Sequence, residues 1–234
     1  MKIDNFTKHL SKRYVSTFLL LCLSSCTYTY SHKESNIPFN SFVRIEAKRH
    51  KANCFTCLLE TGFGSGAVVA SNKILTAGHV CVGIREMIDN ADQSDVLDKV
   101  IATIHDDEGN TYGATKLDIH PSGDMCIIET DRPVLVDTIT IASSNPRRGR
   151  MVWSMMAPDG VSGTGLVPVV TGHYAGGDAK SSVFTIPAHP GASGGPVLNS
   201  AGELIGLVSQ INKSFHHIVI SPSLHLIKKF HESR

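Results

Sequence analysis

Three short motifs hold side chains that together could carry out acyl transfer. Ser193 lies in the sequence Gly-Ala-Ser-Gly-Gly-Pro. Because glycine lacks a Cβ atom, such a turn lets a substrate approach main-chain N–H groups closely. A nucleophilic serine needs this setting, since its hydroxyl must be exposed and N–H groups must face the oxygen that becomes negative in the transition state. A glycine-rich turn with an incidental serine has the same local pattern, so the nucleophile also requires partners.

Those partners, a base and a carboxylate, lie upstream beside short apolar runs. His79 follows Thr-Ala-Gly, and Asp124 begins the run Asp-Met-Cys-Ile-Ile. Asp118 is the nearest alternative carboxylate, but no apolar strand follows it directly. The alternative bases lack the Thr-Ala-Gly context; they are His120, His173, His189, His216 and His217. The order His79, Asp124, Ser193 therefore predicts a nucleophile, base and carboxylate triad.

The three motifs in this order resemble those of the trypsin-like serine proteases of chymotrypsin fold. The resemblance implies a serine endopeptidase that hydrolyses peptide bonds through an acyl-enzyme intermediate, with protein or peptide substrates and no cofactor. It implies catalytic roles for His79, Asp124 and Ser193, and an oxyanion hole made by the N–H groups of Gly191 and Ser193. Ser209 resembles the family serine that hydrogen-bonds the triad aspartate and whose strand pairs with substrate; the alternative is an ordinary serine at a strand end.

The sequence departs from the digestive members of this family. Ala192 stands where they carry an aspartate that pairs with a new N-terminus after activation cleavage, so we expect no such zymogen switch. In this respect the chain is nearer to the high-temperature-requirement proteases and the bacterial glutamyl endopeptidases. Pro187 stands where trypsin has its pocket aspartate, so specificity for Lys or Arg is not supported. His189 or His217 could bind an acidic substrate side chain, or could be a histidine of a loop or core.

The elements that must position these residues are mostly short strands. From residue 41 onward, alternating or short apolar runs are separated by turn residues, which is typical of an all-β protein. Residues 106–110, Asp-Asp-Glu-Gly-Asn, predict a hairpin turn rather than a calcium loop, since the ligand spacing of an EF-hand is missing. The resemblance implies two six-stranded antiparallel β-barrels over residues 41–234, and we place the crossing between the two lobes near residues 132–150.

One helix is expected at the C-terminal end of the chain. Leu224, Ile227 and Phe230 recur at the spacing of one helical face. Ser221 is a suitable cap, because proline follows it and is favoured at the first helical position. The chymotrypsin resemblance implies a closing helix as well.

Composition excludes some classes of function. The chain has 234 residues, of which 41% are hydrophobic, so it is long enough to bury a substantial core. The net charge of +1 gives no electrostatic reason to expect nucleic-acid binding. The basic clusters at residues 48–51 and 147–150 are most simply solvated loops.

The N-terminal region predicts export. Residues 1–25 have a basic leader and a short apolar run, as a signal peptide does. The sequence Leu-Ser-Ser-Cys before residue 27 resembles a lipoprotein signal box, which would make Cys26 the lipidated first residue of an envelope protein anchored in the membrane. The alternative is an ordinary signal peptide and secretion. Residues 26–40 are polar and lack periodicity, so we interpret them as a flexible tether.

The remaining cysteines bear on the compartment and on metal binding. An exported chain can form disulfides, and Cys54, Cys57, Cys81 and Cys126 permit three full pairings. By the resemblance, which bridges the histidine loop to an earlier strand, we expect Cys57 or Cys54 to pair with Cys81, leaving Cys126 as a buried thiol. The Cys-x-x-Cys spacing could be half of a zinc site, but no second pair follows, so we expect no metal.

Two alternatives to a working protease belong to other functional classes. The first is a catalytically silent homologue that uses the fold to bind protein partners at the cell envelope; the intact triad argues against it. The second is an envelope factor whose main role is adhesion, with proteolysis secondary.

Overall fold

A closed barrel of six antiparallel strands forms the first half of the fold. The computed structural model describes residues 36–234 except 53, 55, 94–97, 213 and 216. The barrel strands are β1 Phe42–His50, β2 Leu58–Ala70, β3 Lys73–Thr76, β4 Lys99–Asp106, β5 Thr111–Ile119 and β6 Cys126–Thr130. They pair in the order β1-β2-β3-β6-β5-β4, and β4 closes the barrel by pairing with β1.

Alternation of apolar and polar residues explains why these segments form a barrel. In β1, Ile45 and Ala47 point into the apolar interior, whereas Arg44 and Glu46 face outward, where their side chains form an ion pair. Burying every second side chain is what a strand with one face on a core requires. The predicted hairpin turn at residues 106–110 is confirmed: Asp106 accepts hydrogen bonds from the N–H groups of the turn that follows it.

A seven-stranded sheet forms the second half. Its strands are β7 Met151–Met155, β8 Val169–Gly177, β9 Ser181–Phe184, β10 Pro196–Leu198, β11 Leu204–Leu207, β12 Gln210–Ile211 and β13 Val219–Pro222. They pair in the order β11-β10-β7-β8-β9-β13-β12. The edge strands β11 and β12 are separated in sequence only by Val208 and Ser209, and Ser221 Oγ accepts a hydrogen bond from Leu207 N at 2.9 Å. The sheet therefore curls until its two edges meet.

The predicted architecture is confirmed, with one lobe a closed barrel and the other a curled sheet. We call β1–β6 the first lobe and β7–β13 the second lobe; residues 131–150 connect them. Apolar side chains from both lobes pack in one cluster, which includes Phe42 and Leu75 from the first and Met155 and Leu198 from the second. This shared core fixes the cleft between the lobes, where a site can form.

Within the described residues, two α-helices accompany the strands, and the first was not predicted. Helix α1, Gly78–Asp92, begins beside His79. Three of its buried residues pack in the apolar core of the barrel; they are Cys81, Ile84 and Met87. No start signal marks this helix in the sequence, because the residue before it, Ala77, has no side chain that caps it.

The C-terminal helix α2, Leu224–Glu232, is confirmed, but its predicted cap is wrong. Ser223 caps the helix, and its Oγ accepts a hydrogen bond from Leu226 N at 3.3 Å. Ser221 instead lies in β13. The strand therefore continues two residues further than the apolar pattern indicated.

The disulfides correct the predicted cysteine pairing. Cys54 pairs with Cys57, and Cys81 pairs with Cys126. Cys126 is therefore not a free thiol, and the Cys-x-x-Cys spacing closes a local loop rather than contributing to a zinc site. The expected bridge to Cys81 is wrong, because Cys81 lies on the buried face of α1 and bonds to Cys126 in β6, while Cys54 and Cys57 bond to each other.

The predicted signal peptide, the lipidation site Cys26 and most of the predicted tether lie outside the described residues. Of the predicted tether, Ile37 packs against the shared core, and Phe39–Ser41 form a short 3-10 helix. None of the helices in the part of the chain that the structure describes has the length and apolar character needed to cross a membrane.

Candidate active site

His79 and Asp124 meet at the edge of the first lobe. His79 lies in the first turn of α1, and Asp124 lies just before β6. The imidazole Nδ1 is 2.9 Å from Asp124 Oδ2, and the backbone N–H of His79 donates to Asp124 Oδ1 at 2.7 Å. Gly78 allows this approach, because a Cβ atom there would lie 2.9 Å from Met125 N. The two hydrogen bonds fix both the position and the orientation of the imidazole.

Ser209, from the second lobe, completes the surroundings of this carboxylate. Its Oγ donates to Asp124 Oδ2 at 2.5 Å. Burial by itself raises the pKa of Asp124, but the hydrogen bonds from His79 and Ser209 outweigh that effect and hold the pKa below its ordinary value. The carboxylate therefore stays ionised at neutral pH and can stabilise a positive charge on His79.

The disulfide between Cys81 and Cys126 joins the two elements that hold this pair. Cys81 is two residues beyond His79, and Cys126 is two residues beyond Asp124. Both cysteines are fully buried. The covalent bond thus ties the start of α1 to the start of β6, directly behind the imidazole and the carboxylate.

Ser193 lies in a turn of the second lobe that depends on glycine. Gly191 and Gly194 have φ angles of +89° and +85°, in the left-handed region that glycine adopts most readily. A Cβ atom at Gly194 would lie 2.1 Å from Ser65 O, so no other residue fits there. The carbonyl of Ser193 accepts a hydrogen bond from Ser65 N at 2.7 Å, which attaches the turn to β2.

Ser65 supports the same turn through its side chain, and sequence reasoning missed it. Its Oγ donates to Gly191 O at 2.8 Å and accepts from Ala157 N at 2.9 Å. Ser65 is fully buried, so these hydrogen bonds are shielded from water. The only signal in the sequence was a small polar residue between two glycines of a strand, a pattern that also occurs in strands with no functional role.

The backbone N–H groups of Gly191 and Ser193 are available to a ligand. Within the described residues neither donates a hydrogen bond, whereas the N–H groups of Ala192 and Gly194 do. Within the same residues, no hydrogen bond joins Ser193 Oγ to the His79 imidazole, although both line one cavity of about 630 Å³.

The other residues singled out from the sequence fall into two groups. His189 lines the cavity but is exposed, with Nδ1 3.3 Å from Asp159 Oδ2, so a carboxylate already lies beside it. His217 is outside the cavity, with its ring 5.5 Å from that of Phe215.

The rival base and carboxylate have structural partners instead. His120 Nδ1 accepts a hydrogen bond from Gly123 N at 2.8 Å, and Asp118 forms an ion pair with Arg234 at 2.7 Å. Across the described ranges, no group of three or more His, Cys, Asp or Glu residues is arranged to hold a metal ion.

Comparisons with known proteins identify a family model that this chain matches. Residues 64–207 match the family model described as "Trypsin-like peptidase domain". Two relatives are named "Probable periplasmic serine endoprotease DegP-like". The one from Pseudomonas fluorescens is 29% identical over 63% of this chain, and the one from Chlamydia pneumoniae is 27% identical over 74%. The chain spans only about a third of their lengths, 29% and 33% respectively.

Solved structures have the same fold. A serine endoprotease from Yersinia pestis superposes with a TM-score of 0.62 and 18% identity, over 84% of this chain and 63% of that one. A protease from M. tuberculosis in its active form superposes with a TM-score of 0.59 and 17% identity, over 82% of this chain and 79% of that one. With a family model that matches more than half of its residues, the chain belongs to the trypsin-like peptidase domain family, and its identification from three motifs as a trypsin-like serine protease is confirmed.

Proposed function

We propose that this domain is a serine endopeptidase in which Ser193, His79 and Asp124 act as the catalytic triad. The observation that carries the proposal is the double hydrogen bond from His79 to Asp124, at 2.9 and 2.7 Å, beside a cavity that also contains Ser193. An imidazole held this way presents its Nε2 atom to the serine while Nδ1 is occupied.

In the acylation step, Ser193 Oγ attacks the carbonyl carbon of the scissile peptide bond. His79 Nε2 takes the hydroxyl proton, and the ionised Asp124 stabilises the imidazolium. The carbonyl oxygen becomes negative in the tetrahedral intermediate and accepts hydrogen bonds from the N–H groups of Gly191 and Ser193. The C–N bond then breaks, His79 gives its proton to the leaving amine, and the acyl group remains on Ser193.

In the deacylation step, water replaces the amine. His79 takes a proton from the water as the oxygen attacks the acyl carbon, and the same two N–H groups hold the second oxyanion. When the ester bond breaks, the proton returns to Ser193 Oγ and the carboxylic acid leaves. The chain's own side chains complete both steps.

We place this activity outside the cytoplasm. The two relatives are named as periplasmic, the first 25 residues have the features of a signal peptide, and disulfides persist in oxidising compartments. We further propose that the chain is attached to the membrane through a lipid on Cys26. Equal release of the full chain and a Cys26→Ala variant into the soluble fraction would exclude a lipid anchor at that residue.

Digestion of casein by the purified full chain tests the endopeptidase activity. We expect new internal peptide ends from the native protein, and a loss of at least about 10⁴-fold in the Ser193→Ala and His79→Ala variants. Asp118→Asn is the matched control, because this carboxylate pairs with Arg234 and not with the site. A folded native chain that leaves casein intact would favour the alternative of a silent protein that binds partners through the same fold.

A further inference from the structure

The cavity at the site extends well beyond the proposed triad on one side. Beyond Ser193 and His79 it continues into the first lobe, between the inner faces of β1 and β2 and the helix α1. We call this part the lobe-one hollow and define it by the residues that line it: Ile45, Ala47, Gly62, Gly64, Gly83 and Met87. The hollow is continuous with the space above Ser193.

Glycines of the strand and of the helix line this space. Gly62 and Gly64 are cross-strand partners of Ala47 and Ile45, so all four positions share one face of the sheet. A Cβ atom at Gly62 would lie 3.1 Å from Met87 Cε, which shows how closely α1 approaches β2. At Gly83, by contrast, a Cβ atom would meet no atom within 4 Å. The side chains of Met87 and Val80 thus occupy the space beside Gly62 and Gly64, and the open part of the hollow lies at Gly83.

The lining of the hollow is apolar. Ile45, Ala47 and Met87 are almost fully buried, and their side chains supply methyl, methylene and thioether groups. No Asp, Glu, Lys or Arg is found among the described residues that line the cavity. A charged side chain placed here would lose its hydration without gaining a partner, whereas an apolar side chain would gain from leaving water.

The position of the hollow relative to the triad shows which part of a substrate would enter it. Ser209 and Ile211 line the lobe-two end of the cavity, where the acyl part of a substrate would pair with the strand. His79 gives its proton to the leaving amine, so the residues after the scissile bond extend from His79 in the opposite direction. That direction is the lobe-one hollow.

We propose that the lobe-one hollow selects substrates with a large, uncharged apolar side chain at the first or second position after the scissile bond. Leu, Ile, Met and Phe fit this description. The inference rests on the proposed endopeptidase activity and adds a substrate class to it. Gly83 is the specificity-determining residue, because it lines the cavity and a side chain added there has free space to extend into the hollow.

The test begins by mapping the cleavage sites of the full chain in casein by mass spectrometry. The sequence cut fastest is then made as two peptides that differ only in the residue after the scissile bond, Leu or Ala, with a second pair varied at the next position. We expect the Leu peptide of one pair to be cleaved about tenfold faster, since burying several methyl groups gives discrimination of that order. The readout is the ratio of kcat/KM values, so a general change of activity cancels.

Three variants test whether the lobe-one hollow is the source of the preference for the Leu peptide over the Ala peptide. Gly83→Leu fills the hollow, and we expect the ratio to fall to about twofold or less. Gly83→Ala, which favours the helix, gives an intermediate ratio and guards against a folding defect in the larger variant. Val82→Leu is the matched control on the same helix, because Val82 is exposed and does not line the cavity; its ratio stays at the native value.

The possible outcomes distinguish a failure of this inference from a failure of the proposed endopeptidase activity. A native ratio that falls in both Gly83 variants and not in Val82→Leu supports the inference. Native ratios near one at both positions, or a ratio that Gly83→Leu leaves unchanged, overturn it while casein cleavage still stands. If the folded native chain cleaves no casein and reacts with no fluorophosphonate, the endopeptidase proposal fails and this inference fails with it.

Discussion

The two lobes hold their parts of the site by different means. In the first lobe, His79 and Asp124 are joined by two hydrogen bonds, and a disulfide ties together the elements that hold them. In the second lobe, Ser193 has no covalent support; its turn depends on glycine φ angles and on hydrogen bonds to β2. The elements that hold the proposed base and carboxylate are thus cross-linked, whereas the proposed nucleophile is held by backbone geometry. Mutations in the two lobes should therefore have different effects on activity and on stability.

The largest effect on activity should come from removing the negative charge of Asp124 in the first lobe. Asp124→Asn keeps the shape of the side chain but removes the negative charge and allows the wrong imidazole tautomer. We expect kcat/KM for casein peptides to fall by about 10⁴-fold with the fold retained. Asp118→Asn should stay within about twofold of the native rate, as for an ion pair near the surface. Comparable losses in the two variants would show that Asp124 has no special role.

The disulfide between Cys81 and Cys126 should contribute more to the stability of the fold than to the rate of the chemical step. Cys81 and Cys126 are 45 residues apart in sequence, so their bond closes a long loop. Replacing both with Ala should lower the free energy of unfolding by about 4 kcal/mol, measured by urea denaturation. The pair Cys54 and Cys57, three residues apart, should contribute about 1.5 kcal/mol. Equal losses from the two pairs would contradict the loop-closure argument.

The turn that holds Ser193 in the second lobe should be disturbed by a single methyl group added at Gly191. A Cβ atom at Gly191 would lie 2.5 Å from Ala157 O, at a φ angle that other residues rarely adopt. Gly191→Ala should therefore turn its N–H away from the oxyanion and lower kcat by about 10²-fold. Gly163→Ala is the control, since a Cβ there meets nothing within 4 Å. A normal kcat in Gly191→Ala would exclude this N–H from the oxyanion hole.

The smallest effect concerns the hydrogen bond that crosses between the lobes. Ser209→Ala removes one of the three hydrogen-bond donors that lower the pKa of Asp124, so that pKa should rise. Because the folded pKa of Asp124 lies below its ordinary value of 3.8, ionised Asp124 stabilises the fold above that pH. The stabilisation is lost as the pH falls through the folded pKa.

Urea denaturation at several pH values checks the direction in which the stability contributed by Asp124 changes with pH. The stability difference between the native chain and Ser209→Ala should be largest near neutral pH and should shrink below about pH 4. We expect activity at pH 7 to fall by about tenfold, as for the loss of one hydrogen bond to a charged group. A difference that grows toward acidic pH would contradict the role assigned to Ser209.

Much of the fold was readable from the sequence because its signals are local. The Asp-Asp-Glu-Gly-Asn turn and the apolar face of Leu224, Ile227 and Phe230 each lie within a few residues, and both were confirmed. Helix α1 was missed although Cys81, Ile84 and Met87 have helical spacing, because Val80, Val82 and Gly83 are poor helix formers and no cap marks the start.

Features that depend on distant pairs could not be predicted in the same way. The partner of Cys81 is decided by the packing of α1 against β6, which no local pattern encodes. The support of Ser193 by Ser65 joins residues 128 positions apart, so it appears only once the two lobes are packed together. The lobe-one hollow likewise needs β2 and α1 to be placed before three glycines can be recognised as one cavity wall.

The central claim is that the first lobe activates the serine of the second, and mapping a fluorophosphonate adduct tests it most directly. The native full chain is treated with the reagent, digested and analysed by mass spectrometry beside His79→Ala and Ser193→Ala. We expect one adduct on Ser193 in the native chain and none in either variant. An adduct on another serine, or labelling of Ser193 that persists without His79, would contradict it.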